Sequence, residues 1–354
     1  MQSCYSILKT GIFWFPKVDL IMEIHQKFNL KEYNTFGIAA TAAHFVQIYN
    51  EYDLRSALDY ANRFNLPVLI LGMGSNLLFT KDFNGLVIQI AWRGIEWFEE
   101  SDQVTVSCGE NWHDFVIYCL NKRLHGIENL ALIPGNVGAA PIQNIGAYGV
   151  ELSEFIYEVK ALDKRTGEIV KFNNERCEFT YRGSFFKGEE GEHFVVTEVT
   201  LQLTRNWKPN ISYKALQKAL TSEKPSPQQV LNTVCNIRQS KLPDPATLGN
   251  AGSFFKNPII SREKLTSLQE IFANIPVFEM EIGDFVKLPA AWLVEKAGWK
   301  GKRHGKAAVS TNHALVLVNP GKASGQDIQA LAQEISASVR EKFGITLEPE
   351  VRLI

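Results

Sequence analysis

Residues 133–149 read Ile-Pro-Gly-Asn-Val-Gly-Ala-Ala-Pro-Ile-Gln-Asn-Ile-Gly-Ala-Tyr-Gly. Two prolines and four glycines in so short a stretch forbid a continuous helix or strand. The segment is poor in charge and rich in small side chains, so its backbone can approach a large flat ligand at little steric cost. A buried irregular loop is the alternative reading. A second loop, Gly72-Met-Gly-Ser-Asn76, lies between the strand-like runs Val68–Leu71 and Leu77–Thr80. It opens like a dinucleotide fingerprint but has Leu77 where the third glycine belongs, and a strand-like run follows where a helix should begin. No GxxxxGK[ST] motif is present either. Backbone N–H groups in such a loop can converge on a phosphate, with Ser75 and Asn76 adding donors, although a tight hairpin turn fits equally well. Two loops of this kind favour a nucleotide cofactor.

Composition narrows the class. The 354 residues suit two or three domains, and 37 basic against 38 acidic side chains leave a net charge of −1. A neutral chain has no broad basic field for nucleic acid. No apolar run approaches the ~18 residues of a membrane span. The five cysteines, Cys4, Cys108, Cys119, Cys177 and Cys235, are widely spaced and lack a CxxC pair, which points to a reducing, cytoplasmic setting. The seven histidines show no HxxxH or HxH pairing, so no metal site is expected. Residues 1–21 read as a mistaken start or a disordered tail ahead of Met22, with a weak export signal a lesser alternative.

Periodicity predicts helices over Glu51–Asn65 and Gly109–Leu124, the latter burying Cys119. Strands are expected at Val104–Val106, Glu158–Leu162, Glu168–Phe172 and Phe194–Leu203. Glu223–Pro227 marks a boundary, after which Ser226 caps and Pro227 opens a helix to about Ser240. Ser324 caps a later helix carrying Ile328, Leu331, Ile335 and Val339, which Gly344 stops. In Leu347–Leu353, alternation sets Leu347, Val351 and Leu353 against Glu348, Glu350 and Arg352.

Asn34-Thr-Phe-Gly37, Gly72–Asn76, Pro134-Gly-Asn-Val-Gly138 and Gln143-Asn-Ile-Gly-Ala-Tyr-Gly149 together resemble the FAD-binding half of the UDP-N-acetylenolpyruvoylglucosamine reductase family. The resemblance continues through Tyr181-Arg182, Lys241-Leu-Pro-Asp-Pro245, Gly249-Asn-Ala-Gly-Ser-Phe-Phe-Lys-Asn-Pro258 and Leu347-Glu-Pro-Glu-Val-Arg352. It implies an α+β chain: a vanillyl-alcohol-oxidase-type (PCMH-like) FAD-binding fold of two α/β subdomains, residues 22–91 and 92–225, plus a C-terminal α+β substrate-binding domain, 226–354. The last strand is expected to return to the active site. FAD would be held noncovalently by Asn34, Thr35, Gly72, Gly74, Ser75, Asn76, Pro134, Gly135, Gly138, Ala139, Gln143, Asn144, Gly146, Ala147 and Tyr148. His125, just before the second loop, is not expected to attach it.

The resemblance further implies reduction of an enol ether of pyruvate. NADPH reduces the flavin and leaves; the enolpyruvyl sugar then takes hydride at its methylene carbon and a proton at the α carbon. Such a reaction needs a cation, a proton donor and a fixed polar partner. Arg182, Ser253 and Glu350 match the family residues in those roles. The acidic residue usual after the arginine is Gly183 here. Tyr213, Lys241 and Asn257 match residues that hold the UDP-sugar, and Tyr213 in Ile211-Ser-Tyr-Lys-Ala215 places the chain with the longer, tyrosine-loop subtype. Lys302-Arg-His-Gly-Lys306 is more basic than the family pattern. The expected partners are small molecules only, with the chain a monomer. An oxidase of the same fold, or a nucleotide-binding module without chemistry, remains as a competing reading; the latter would bind flavin but turn nothing over.

Overall fold

The computed structural model describes residues 22–222, 224–280 and 283–354; the expectation for residues 1–21 lies outside them. Three sheets organise the chain. The first runs in the order His25–Asn29, Thr41–Ile48, Phe83–Ile90, Val68–Leu71. Its last three strands are parallel, and only the first is antiparallel. The helix Glu51–Arg63 makes the crossover, burying Leu54, Ala57, Leu58 and Ala61 at the predicted spacing. Asn50 caps it by accepting from Asp53 N–H at 2.9 Å. It stops two residues short of expectation because Asn65 turns left-handed, φ 50°.

The second sheet is wholly antiparallel, in the order Ile169–Asn173, Ile156–Asp163, Phe194–Gln202, Gln103–Ser107, Ile95–Phe98. Its helix is Trp112–Asn121, shorter than the predicted 109–124. Asn111 caps the front through Asp114 N–H, and Arg123 at φ 60° lies just beyond the end. Cys119 is fully buried there.

The third sheet joins Gly249–Ser253, Val316–Asn319, Ala307–Val309 and Arg303–His304. Beside it is a small sheet of Ile259–Ser261, Phe285–Lys287 and Phe278–Glu279. The helix Gly325–Phe343 carries the predicted apolar face, a Ser324–Asp327 capping box and Gly344 at φ 63° as its stop. Lys302–Lys306 is exposed at this sheet's edge.

Burial groups the described residues into three hydrophobic cores. Phe36, Phe45 and Phe79 from the first sheet's region pack with Phe254, Leu293 and Leu331 from the third. The helix Pro227–Lys241, capped by Ser226 with Gln229, buries Val230, Leu231 and Val234 in the core of the second sheet.

The C-terminus corrects one expectation. Leu347 and Val351 are buried, but Leu353 is 42% exposed. Only Arg352–Leu353 forms a strand, and it pairs in parallel with Leu77–Leu78. The strand Val68–Leu71 pairs instead with Phe83–Ile90. Gly72–Asn76 therefore passes between two sheets, and the hairpin-turn alternative is excluded.

Candidate active site

The loop Gly72–Asn76 is pinned from below. Gly74 has φ +63°, and a Cβ there would fall 2.1 Å from the Tyr33 carbonyl oxygen, so only glycine fits. Its own carbonyl accepts from Thr35 N–H at 3.1 Å. Thr35 in turn offers its carbonyl to Asn250 N–H. Asn34 is fully engaged: its Nδ2 donates to the carbonyls of Leu30 and Ile38, and its Oδ1 accepts from Ile38 N–H. The Asn34 side chain therefore braces its own turn, between Leu30 and Ile38. Among the described residues nothing accepts from the N–H groups of Met73, Gly74, Ser75 or Asn76. Four successive open donors are what an anion site needs, and Ser75 and Asn76 line the cleft.

The second loop differs. Gly135, at φ +131°, gives its carbonyl to Trp112 N–H, and a Cβ on Gly138 would lie 2.5 Å from that of Cys108. Ala139 donates to the Asn136 carbonyl. Asn144 is 1% exposed, donates to Glu151 Oε2 and the Thr180 carbonyl, and accepts from Ser153 N–H. Like Asn34, it shapes backbone and has no side-chain group left for a ligand. Ala147 lies in the two-residue strand Gly146–Ala147, paired with Val150–Glu151. Tyr148 meets Tyr213 edge to face at 5.3 Å. Two bonds stitch the loops together: Ser75 Oγ donates to the Pro134 carbonyl at 3.0 Å, and Asn76 Nδ2 to Gln143 Oε1 at 2.6 Å.

These residues fit a dinucleotide-sized polar ligand such as FAD. The open N–H groups suit phosphate oxygens. At the junction of the loops, Asn136 Oδ1 is buried without a donor, 2.8 Å from where a Gly72 Cβ would sit. A ligand N–H can satisfy it, and any larger side chain at position 72 would close the approach.

Across the cleft lie Arg182, Ser253 and Glu350, which the fold brings together from three distant stretches. Arg182 occupies a tight turn closed by reciprocal bonds between Thr180 and Gly183, at 3.0 and 3.1 Å. A Cβ on Gly183 would lie 2.6 Å from Thr180 Oγ1, so a side chain there would require the threonine hydroxyl to move. Arg182 itself has φ +56°, a strained value for a residue with a side chain. Its Nε faces Glu350 Oε1 at 3.1 Å, and its Nη2 donates to the Gly146 carbonyl at 2.7 Å.

Glu350 does not lie on a solvated strand face. Its N–H donates to the Phe254 carbonyl, its carbonyl accepts from Asn76 Nδ2, and its carboxylate points into the cleft. Burial raises its pKa above the usual carboxylate value, with Arg182, Lys187 and Lys256 opposing. Ser253 ends the strand Gly249–Ser253, where the pairing slips between Asn250 and Ser253. Gly252, at φ +69°, makes that irregularity and turns Ser253 toward the cleft.

Asn257 also lines the cleft, its Oδ1 accepting from Ala290 N–H. Tyr213 and Lys241 are exposed outside its inner wall, Lys241 as the last residue of its helix. His125 bonds Glu128 at 2.8 Å. Among the described residues no cluster of three metal-ligating side chains occurs, and no helix is long and apolar enough to cross a membrane.

Three residues at or beside the cleft are given no role by the sequence reading. Arg238 sits one turn before Lys241, donates to the Leu132 carbonyl, and has its pKa lowered by burial. Tyr181 has its phenol raised by burial. Lys187 donates to the Arg182 carbonyl at 3.0 Å. The three-residue spacing from Arg238 to Lys241 is a usable signal, as is the place of Tyr181 beside Arg182 in a matched motif; Lys187 carries none.

Residues 244–354 match the family model for the UDP-N-acetylenolpyruvoylglucosamine reductase C-terminal domain, and residues 42–173 match an FAD binding domain. UDP-N-acetylenolpyruvoylglucosamine reductase of Amoebophilus asiaticus is 47% identical over 94% of this chain and 100% of its own length. That of Flavobacterium johnsoniae is 45% identical over the same shares. The crystal structure of UDP-N-acetylenolpyruvylglucosamine reductase from Thermus caldophilus superposes with a TM-score of 0.66 at 23% identity, covering 94% of this chain and 99% of that one. A 6-hydroxy-D-nicotine oxidase from Arthrobacter nicotinovorans reaches 0.53 at 13% identity, over 92% of this chain and 87% of that one. These two likenesses concern the fold, which is of the vanillyl-alcohol-oxidase type. With relatives this similar along nearly its whole length, the chain belongs to the UDP-N-acetylenolpyruvoylglucosamine reductase family.

Proposed function

We propose that the chain reduces UDP-N-acetylglucosamine enolpyruvate to UDP-N-acetylmuramate, a step of peptidoglycan precursor synthesis, with NADPH as electron donor. The observation that carries this reading is the meeting of Arg182, Ser253 and Glu350 in one cleft beside the two loops. FAD, when bound by those loops, supplies the hydride. The work of the protein is to hold the sugar, bear its developing charge and deliver a proton.

Arg182 receives the substrate carboxylate, since a guanidinium matches it with two parallel hydrogen bonds and keeps its charge. Negative charge that builds on the neighbouring carbon is then stabilised by a group already in place. Glu350, already raised by burial, meets a second carboxylate when substrate arrives, and two carboxylates in one site favour holding a proton. Ser253 Oγ gives its proton to the α carbon. Serine is a weak acid in water, but the carbanion is a strong base and the geometry is fixed. Asn257 through its Nδ2, with Lys241 and Tyr213 from outside the inner wall, binds the diphosphate side of the sugar. The protein acts in the cytoplasm as a monomer of three units, 22–91, 92–225 and 226–354.

The test is an anaerobic absorbance titration of purified protein. A flavin spectrum that bleaches with NADPH and recovers with the enolpyruvyl sugar is expected. A reduced protein that oxygen reoxidises rapidly and the sugar does not is an oxidase, and this reading is lost.

A further inference from the structure

Lys187 lies outside the groups to which chemistry has been assigned, yet its side chain bonds one of them. It is the third residue of the short helix Phe185–Lys187. Phe186 is buried in an aromatic group with Phe172 and Phe185, and Ser184 Oγ donates to the Ile142 carbonyl at 2.7 Å. The base of the lysine is thereby fixed. Its Nζ donates to the Arg182 carbonyl at 3.0 Å. Among the described residues no carboxylate lies within ion-pairing distance of it, whereas neighbouring Lys256 is paired with Glu348.

We propose that Lys187 is a positioning residue for the Arg182–Glu350 pair: its ammonium group pins the strained backbone of Arg182 and sets a further positive charge against Glu350. The inference rests on the function proposed above. A left-handed arginine persists only where its surroundings over-determine it. Here the turn bonds hold one side, Gly146 and Glu350 hold the side chain, and Lys187 holds the carbonyl. The charged groups facing Glu350 are Arg182, Lys187 and Lys256, with the Tyr181 phenol also close. Lys187 opposes the burial that raises the Glu350 pKa. The pKa of Lys187 is itself lowered, first by burial and then by Lys256.

The experiment compares Lys187→Met and Lys187→Arg with the wild-type holoenzyme, following the two half-reactions separately by stopped flow across pH. Losing a charged hydrogen bond to the Arg182 carbonyl should slow sugar-dependent flavin reoxidation about tenfold in Lys187→Met. Flavin reduction by NADPH should be unchanged. The ionisation that Glu350→Gln abolishes should move to higher pH, because removing a cation disfavours the carboxylate. Lys187→Arg should restore both rate and pH profile. The inference is overturned if both half-reactions slow together, or if the rate falls while the ionisation stays in place. It is equally overturned if Lys187→Met matches the wild type. A wild-type protein that the sugar never reoxidises would instead overturn the proposed function, a result distinct from all of these.

Discussion

Gly72–Asn76 and residues 133–149 face one cleft and share glycine, asparagine and a lack of charge, yet their polar groups serve opposite ends. In the first loop four consecutive N–H groups have no partner among the described residues, and support comes from Thr35 beneath, which donates to the Gly74 carbonyl. In the second, Asn144 is consumed by Glu151, Thr180 and Ser153, and Gly135 by Trp112, with Asn136 Oδ1 as the exception. Open donors await a ligand; satisfied ones make a rigid wall. Composition cannot separate these cases, because the difference lies in whether a partner exists elsewhere in the fold.

Substitutions sharpen that contrast, beginning with the chemistry that both loops serve. Ser253→Ala should slow sugar reduction by about 10²- to 10⁴-fold, the usual reach of general-acid catalysis, while NADPH reduction of the flavin stays intact. Rapid mixing of each half-reaction checks this, and equal slowing of both would count against it. Next comes Gly74→Ala, which forces a methyl group into the Tyr33 carbonyl at a left-handed position. A loss of about 3 kcal/mol is expected, measured by denaturant unfolding, together with weakened FAD binding. An unperturbed variant would show that the first loop is freer than described.

Asn144→Ala removes three partly buried hydrogen bonds from the second loop and should cost about 2 kcal/mol in the same assay. Its signature is lost stability of the apoprotein, because the side chain offers nothing to the ligand. A drop in FAD affinity with stability intact would reverse the distinction between the loops. Glu350→Gln gives the smallest change in stability. The folded pKa of Glu350 is raised, so ionising it in the native state works against folding as pH climbs above the unfolded value. The variant should therefore unfold at or slightly above the wild-type temperature at neutral pH. The gap should close below about pH 4.3, where the unfolded carboxyl is also protonated. A clear destabilisation at neutral pH would mean that the Arg182 pair outweighs burial.

Much of the fold was legible because its signals are local. Ser226 with Gln229, and Ser324 with Asp327 and Gly344, mark helix ends within a few residues of themselves. The failures involve partners that no sequence pattern specifies. Leu353 alternates with Leu347 and Val351, but its exposure is set by a strand pairing with Leu77–Leu78 that no local pattern encodes. Asn34 and Asn144 have the side chains of ligand donors, and only the folded loops show those groups engaged. Arg182, Ser253 and Glu350 were legible through family resemblance, not through spacing. Lys187 was missed because its target is a backbone carbonyl, which leaves no side-chain partner to find in the sequence.

The most direct measurement is a crystal structure of the chain with FAD and the enolpyruvyl sugar bound. The substrate carboxylate should lie on the Arg182 guanidinium, with Ser253 Oγ within hydrogen-bonding reach of the α carbon and the FAD diphosphate on the N–H groups of residues 73–76. A carboxylate held elsewhere, with Ser253 turned away from the α carbon, would contradict the account.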